Sequence, residues 1–361
     1  MPTTTSPDDT VVCVTMLFAG PGDSLLIRFC DNGGVARNIL IDGGQLKKEY
    51  SRSLKPRVGH LFEKNECLDL LVITHDDSDH IRGICWLMED LERGHFGESA
   101  KTKGVSQLWF NCPQARDALL SPRTSESREI SYSEAKTLSR FLAESTDITS
   151  RSQVALTELT PISFFDATLT ILSPTKQSLR AAAVQQRDIA ARATDHSISL
   201  DMLISENTSR QESLDSSPEN GGSIAFLFET TDVRLLFLGD ATPPIIDSAI
   251  EQLCRNRGQS FLRVDAVKAS HHGSEGNLSN RFLSLVHSDR FFFSTNGAHQ
   301  HPHKRTIAKI LAHPNRSEII HFYFNYRDAA ASLGLTAEDE KKYNFKVHKP
   351  NTDEQEICFT L

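Results

Sequence analysis

The residues with the clearest capacity for chemistry lie in one short segment, residues 75–80, which reads HDDSDH. It offers four potential ligands, namely its two imidazoles and two of its three carboxylates, and these are the groups that bind zinc, manganese and iron in proteins. The residues concerned are His75, Asp77, Asp79 and His80. Because a tight turn aims alternate side chains in different directions, the first two can serve one ion and the last two another.

The alternative is a solvated acidic turn that caps the following helix, since aspartate is a good N-cap residue. Capping accounts for one aspartate, but it does not account for two flanking histidines directly after an apolar run. The segment therefore predicts a metal site.

Two further groups follow strand-like runs later in the chain. Gly239-Asp240 ends an apolar run. Most such pairs are turns, but beside the other motifs Asp240 is a candidate to bridge two ions. His271-His272-Gly273-Ser274 ends another apolar run. Because adjacent histidines point in different directions, we expect one of the pair to bind metal and the other to support the site or contact the substrate.

A loop at 295–303 carries three histidines within five residues, His299, His301 and His303. Imidazoles at such positions bind metal or protonate a leaving group. Partial exposure without a ligand role is the other interpretation for His299 and His303.

The elements that position these residues alternate between strands and helices. Residues 68–74 form a continuous apolar run, typical of a buried strand, and residues 81–91 carry apolar side chains at helical spacing. The 75–80 segment therefore falls on a strand-to-helix turn. The spacing further predicts a hairpin over 223–238, helices over 133–144 and 243–255, and a strand over 264–269. Sites in α/β proteins form where loops converge at the ends of strands.

Composition limits the classes of function. The chain has 361 residues with 47 acidic and 39 basic side chains, a formal charge of −8. Affinity for long polyanions comes mainly from Lys and Arg, so the acidic charge counts against a protein that coats long DNA. It does not count against a local basic groove or a small phosphate ester as substrate. The polar segment 206–222 predicts a flexible insertion within one domain that spans 1–361.

The seven cysteines are odd in number and form no CxxC, which argues against a disulfide scaffold or a zinc ribbon and favours a reducing compartment. The polar first residues do not resemble a signal peptide. No apolar run reaches the ~18 residues that cross a bilayer. We therefore expect a cytoplasmic protein with no membrane association.

The combination of motifs resembles the metallo-β-lactamase-fold hydrolases, and within them the branch that includes the nuclease domain of the competence protein ComEC. Six motifs carry the resemblance, in order: Gly20-Pro21-Gly22-Asp23-Ser24, Asp42-Gly43-Gly44, HxDxDH at 75–80, Leu238-x-Asp240, His271-His272-Gly273-Ser274 and His301-Pro302. They are spread over residues 20 to 302, and together they are far more specific than any one of them.

The resemblance implies an αββα four-layer sandwich of two mixed sheets with helices outside, and two divalent metal ions, Zn²⁺ or Mn²⁺. It implies that His75 and Asp77 hold one ion and that Asp79, His80 and His272 hold the other. Asp240 would bridge both. By sequence alone, His271 is as good a candidate ligand as His272. The Gly-Ser that follows favours His272.

A metal-bound hydroxide between the two ions would attack the substrate, with Asp79 at the catalytic centre and His271 or His301 donating a proton to the leaving oxygen. Candidate substrate-binding residues are Asn220, Ser223, Ser274 and His303. The family's usual third-motif histidine is not evident, and His196 is a spare ligand candidate. Lys304 and Arg305 adjoin the last motif and are candidates for an anion track.

These features predict a phosphodiesterase, with a nuclease acting on nucleic acid as the first hypothesis. The alternatives are a small-ester hydrolase, acting on a cyclic nucleotide, a phosphocholine ester or a lactone, and a non-catalytic subunit that binds a protein partner. A non-catalytic subunit would be expected to lack ligand residues, and all the main ones are present here.

Overall fold

The structure, a computed structural model, describes residues 11–111, 138, 149–151, 157–182, 195–207, 210–353 and 355–361. The strands are β1 Val12–Met16, β2 Leu25–Cys30, β3 Ala36–Ile41, β4 Leu70–Ile73, β5 Gln107–Phe110, β6 Thr149–Arg151, β7 Ile162–Phe164, β8 Ala167–Ser173, β9 Ala225–Glu229, β10 Arg234–Phe237, β11 Leu262–Arg263, β12 Ala266–Lys268, β13 Val286–His287, β14 Arg290–Phe293, β15 Ile320–Phe324, β16 Phe345–His348 and β17 Ile357–Thr360.

The α-helices are α1 Lys47–Glu49, α2 Lys55–Glu63, α3 Ser78–Glu92, α4 Glu98–Lys103, α5 Lys176–Ala182, α6 Leu200–Asn207, α7 Pro218–Gly221, α8 Pro243–Asn256, α9 Asn280–Leu285, α10 Lys304–Ala312, α11 Arg327–Ser332 and α12 Ala337–Tyr343. A π-helical turn, Tyr50–Leu54, joins α1 to α2. Of the helix that the sequence predicts over 133–144, all but Leu138 lies outside the described residues.

Two large mixed sheets dominate the fold. The first has the order β17-β1-β2-β3-β4-β5-β6, and the second has the order β16-β15-β14-β12-β10-β9-β8-β7. In each sheet, hairpin-linked antiparallel strands pass into parallel strands, which helical crossovers connect. The parallel strands are buried on both faces, as the fully buried LLVI of β4 shows.

Three apolar cores fill the spaces between four layers. One lies between the two sheets and joins residues such as Ile27 and Val72 of the first sheet to Phe226 and Leu235 of the second. A second core packs the first sheet against α2 and α3, and a third packs the second sheet against α6, α8, α9 and α10. The predicted αββα sandwich is therefore confirmed.

Two features were not predicted. β17 lies beside β1 at the edge of the first sheet, and Cys13 and Cys358 are joined as a disulfide between them. The pattern of cysteines argues against a disulfide scaffold and does not predict this pair. The second feature is the pair of helices α11 and α12, which precede β16.

Within the described part of the chain, no helix is both long and apolar enough to cross a membrane.

Candidate metal centre

The candidate residues converge from both sheets. His75 comes two residues after β4, and Asp77, Asp79 and His80 lie at the start of α3. Asp240 follows β10, and the His271-His272 pair follows β12. Since β4 belongs to the first sheet and β10 and β12 to the second, the cluster forms at one end of the sandwich, where the carboxyl ends of these strands meet.

Glycines allow the start of α3 to dock directly on neighbouring backbone. A Cβ on Gly83 would lie 1.8 Å from the carbonyl oxygen of Gly43, and a Cβ on Gly22 would lie 1.6 Å from the carbonyl oxygen of Asp79. The amide of Gly43 donates to His80 O at 2.8 Å, and the amide of Gly83 donates to Gly44 O at 2.9 Å. The backbone of the GPGDS and DGG motifs therefore packs directly against the HDDSDH turn and fixes its position.

The histidine nitrogens and carboxylate oxygens stand at the separations that a shared ion requires. His75 Nε2 lies 3.5 Å from Asp77 Oδ2 and 4.0 Å from Asp240 Oδ2. His80 Nε2 lies 3.5 Å from Asp240 Oδ1. His272 Nε2 lies 3.2 Å from Asp79 Oδ2 and 3.7 Å from Asp240 Oδ2. Two ligands of a tetrahedral ion with bonds of about 2.1 Å are separated by about 3.4 Å.

The hydrogen bonds of the imidazoles point to the same conclusion. His80 Nδ1 donates to Asp42 Oδ2 at 2.8 Å, His75 Nδ1 to Thr74 Oγ1 at 3.0 Å, and His272 Nδ1 to Ser294 O at 2.9 Å. Each ring then presents the lone pair of Nε2 to the centre, where all three Nε2 atoms and Asp240 Oδ1 are buried without a hydrogen-bond partner. Such unpaired polar atoms are costly unless they bind a ligand. The residues thus fit divalent metal ions.

Asp77 decides between a metal turn and a capping turn. It occupies the N-cap position of α3 with extended backbone angles, but its side chain makes no capping hydrogen bond. The carboxylate instead faces His75 Nε2. The capping alternative therefore does not account for this aspartate.

Opposite charges on the imidazoles and carboxylates of the cluster attract one another. Burial would raise the pKa of Asp240, but the His272, His80 and His271 imidazoles hold that pKa well below its usual range. Burial would lower the pKa of His272, but Asp240 and Asp23 raise it to about 9. A metal ion that binds here must therefore displace protons, and its affinity falls as the pH falls.

A buried ion pair lies directly behind this cluster. The Lys268 ammonium on β12 contacts the Asp23 carboxylate of the GPGDS motif, and both residues are 1% exposed. Asp23 Oδ1 also lies 3.2 Å from His272 Nδ1, and Lys268 Nζ donates to Gly239 O at 3.2 Å. The pair thus supports the two loops that carry His272 and Asp240. Asp23, His80, Asp240 and His272 also offer mutually close donor atoms that could hold an ion.

The structure places Asn220 and Ser223 beneath the centre. Both are fully buried. Ser223 Oγ accepts from the Asp240 amide at 3.0 Å, and Asn220 Nδ2 donates to Asp215 Oδ2 at 2.7 Å. Ser274 is also buried. These residues occupy supporting positions, so any contact with substrate remains a prediction.

The later histidines separate into two groups. His301 lies beside the two adjacent histidines, with its ring centroid 5.2 Å from that of His271 and 6.2 Å from that of His272. Burial and the neighbouring His271 and His272 rings lower the pKa of His301, so it is an uncharged imidazole at neutral pH. His303 is buried, and its Nδ1 accepts from the Glu275 amide at 2.9 Å. His196 Nε2 donates to Pro302 O at 3.1 Å, so the structure does not bring it to the cluster.

Of the two candidates for an anion track, Lys304 is buried and Arg305 is paired with carboxylates of the chain. Lys304 is buried, and burial lowers the pKa of its ammonium. Arg305 Nη1 donates to Glu206 Oε2 at 2.9 Å, and Arg305 also lies near Glu275.

Sequence reasoning did not assign three supporting groups. Asp42 belongs to the DGG motif, but the sequence does not show that its carboxylate orients the ring of His80. Lys268 gave a signal, because a lysine within the apolar strand VDAVKA needs a buried partner. Asp215 gave none, since it lies in a polar segment interpreted as a flexible loop.

Comparison with solved structures gives likenesses at low identity. The metallo-β-lactamase-fold protein YhfI from Bacillus subtilis is 10% identical over 98% of this chain and 100% of its own, with a TM-score of 0.44. Zn²⁺-bound PqqB from Methylobacterium extorquens is 10% identical over 97% of this chain and 99% of its own, with a TM-score of 0.41. A long form of RNase Z from yeast is 11% identical over 90% of this chain and 38% of its own, with a TM-score of 0.37.

No family model matches the sequence, and no curated protein matches it. The likenesses concern the fold and carry no statement about activity.

Proposed function

We propose that the protein is a metal-dependent hydrolase that cleaves phosphodiester bonds, and that it acts on nucleic acid as a nuclease. The observation that carries the proposal is the convergence of three unpartnered Nε2 atoms, those of His75, His80 and His272, on one buried carboxylate, Asp240. Partially exposed Asp77 and Asp79 complete the donor set on the open side.

The donors divide into two positions that share Asp240. His75 and Asp77 would hold one ion, and Asp79, His80 and His272 would hold the other. Divalent ions there would polarise a phosphoryl oxygen and lower the pKa of water. The residues of the chain supply the rest: Asp42 fixes the ring of His80, and Ser223 fixes the backbone of Asp240.

Charge balance supports an anionic substrate. Three ligand carboxylates, Asp77, Asp79 and Asp240, offset three of the four positive charges of two divalent ions. The remaining positive charge suits the attacking hydroxide together with an anionic substrate, whose negative charge increases as the hydroxide attacks. A neutral ester gains less from these ions. His301 lines the centre beside His271, where its imidazole would donate a hydrogen bond to the leaving oxygen.

One observation favours a small phosphodiester as the second candidate. Lys304 and Arg305, the basic groups next to the last motif, are buried or paired with internal carboxylates. A long strand would gain little affinity from them, whereas a small substrate such as a cyclic nucleotide depends mainly on the metal centre.

The test compares metal content and hydrolysis in wild type, Asp79→Asn and Asp76→Asn. Asp76 lies in the same turn and belongs to neither proposed donor set, so it is the matched control. Substrates are bis-p-nitrophenyl phosphate, single-stranded DNA, duplex DNA and a cyclic nucleotide, with Mn²⁺ or Zn²⁺. We expect wild type and D76N to bind about two ions and to cleave, and D79N to lose at least 100-fold in rate.

The substrate that wild type cleaves fastest separates the nuclease from the small-substrate enzyme. A wild-type protein that binds both ions and cleaves no phosphodiester would contradict the proposed reaction but not the metal centre. A protein that binds no ion would contradict both.

A further inference from the structure

We propose that His271 is a metal ligand alongside His272, one for each ion, and that Asp215 and Asn220 of the 206–222 segment hold its ring in place. This inference rests on the metal centre of the proposed function and extends it, because the sequence predicts only one ligand from the pair. It would make part of the polar insertion a component of the active centre.

The backbone of the pair allows both rings to face the centre. His271 and His272 both have left-handed conformations, with φ of 48° and 54°. Non-glycine residues adopt this region seldom, and two in succession are costly. The result is that the rings diverge, with an interplanar angle of 72° and centroids 5.8 Å apart. In a regular extended strand, adjacent side chains would point to opposite faces.

Distances place both rings at the same carboxylate oxygen. His271 Nε2 lies 3.8 Å from Asp240 Oδ2, and His272 Nε2 lies 3.7 Å from that atom. His75 Nε2 lies 4.0 Å from it. The first ion position otherwise has fewer donors than the second, namely His75, Asp77 and the shared Asp240. His271 supplies the additional nitrogen. His196 cannot, because the Nε2 atom of His196 is hydrogen-bonded to Pro302 O.

A network of side chains behind the ring of His271 holds it in place. Asp215 Oδ2 accepts from Asn277 Nδ2 at 2.9 Å and from Asn220 Nδ2 at 2.7 Å, so one carboxylate orients both amides. Asn277 Oδ1 and Asn220 Nδ2 both lie 3.2 Å from His271 Nδ1, so the two amides hold the ring from behind. With its proton on Nδ1, donated to Asn277 Oδ1, the ring directs the lone pair of Nε2 at Asp240.

Asp215 is itself fixed within the 206–222 segment. The Ser217 amide donates to Asp215 Oδ1 at 2.8 Å, and the Asp215 amide donates to Gly276 O at 2.8 Å. Glu212, in the same segment, accepts from Lys309 Nζ at 2.9 Å. These contacts tie the segment to the HHGS loop and to α10, so the geometry of His271 depends on the insertion.

The experiment is a titration of the full chain with Zn²⁺ and Mn²⁺ by calorimetry, with visible spectra of the Co²⁺-loaded protein. The variants are His271→Ala and Asp215→Asn. Their matched controls are His60→Ala on the exposed side of α2 and Asp232→Asn in the exposed β9–β10 turn. We expect H271A to lose one of the two ions or to bind it at least 100-fold more weakly, with an altered Co²⁺ spectrum, and D215N to bind that ion about 10- to 100-fold more weakly. The controls should match wild type.

If H271A keeps both ions with wild-type affinity and spectrum while hydrolysis falls, His271 is a proton donor or a substrate contact and the ligand assignment is wrong. If H271A does not fold, as judged by circular dichroism, D215N decides: wild-type affinity at both positions overturns the proposal. Because the readout is metal binding, a wild type that binds two ions without cleaving phosphodiesters leaves this test intact.

Discussion

The buried pair of Lys268 and Asp23 yields a prediction about stability. Replacing Lys268 with Met keeps a side chain of similar length but leaves the Asp23 carboxylate, 1% exposed, without its cation. The imidazole of His272 lies 3.2 Å from that carboxylate, but it is shared with Asp79 and Asp240 and replaces the lysine only in part. Removing one partner of a buried ion pair costs about 3–5 kcal/mol when the remaining charge stays buried.

We therefore expect the free energy of unfolding of Lys268→Met to fall by about 3–5 kcal/mol, a large part of the roughly 5–15 kcal/mol of a typical protein. Urea unfolding followed by far-UV circular dichroism measures this, with EDTA present so that metal binding does not add to the stability of the folded state. The control is Lys101→Met on the exposed face of α4, which should change the value by less than about 0.5 kcal/mol.

The double variant Asp23→Asn/Lys268→Met separates the charge from the packing. It removes both charges, so it should recover much of the lost stability, since neutral replacements of buried pairs are often tolerated. A single variant within about 1 kcal/mol of wild type, or a double variant no better than the single one, would refute the reasoning.

Two other predictions concern parts of the scaffold. Gly83→Ala puts a Cβ 1.8 Å from Gly43 O, so we expect its free energy of unfolding to fall by about 3 kcal/mol or more and its metal binding to weaken. In the control Gly59→Ala the new Cβ meets the ring of Phe96 at 3.5 Å, so the free energy of unfolding should stay the same or rise by up to about 1 kcal/mol. Equal urea midpoints for the two variants would contradict this. Burial raises the pKa of Asp247 to about 6 from 3.8, so the folded chain binds an extra proton between these values and stability falls as pH rises through that window. Asp247→Asn should therefore exceed wild type by up to about 3 kcal/mol near pH 8 and by less near pH 4.5, and a difference that does not vary with pH would argue against it.

Most of the centre could be predicted because its residues stand at places that local patterns identify. A buried apolar run followed by helical spacing located His75 and His80 at a strand-to-helix turn. The start of α3 was predicted at Ile81, but the helix begins at Ser78, because Asp77 occupies the N-cap position and the next two residues already belong to the first turn.

The rest depends on contacts between segments distant in sequence. Asp215 and Asn277 lie 62 residues apart and meet only in the folded chain. Asp23 lies in the loop between β1 and β2 of the first sheet, and Lys268 lies on β12 of the second. The sequence around either residue does not indicate that the two form an ion pair. Periodicity reports which face of an element is buried, but it does not report which buried polar groups will meet across layers.

The pairing of β1 with β17 has a consequence for synthesis. Cys13 and Cys358, on these two strands, are 345 residues apart, and a ribosome adds about 5–20 residues per second, so β1 emerges roughly 20 to 70 s before its neighbour. Until then the outer edge of β1 has unpaired amides and carbonyls that invite association with other chains. Phe359 of β17 also packs on Phe292 and Tyr323 of the second sheet. The nascent protein therefore carries every proposed metal ligand before its sandwich is closed, and we expect it to need protection from aggregation during that interval.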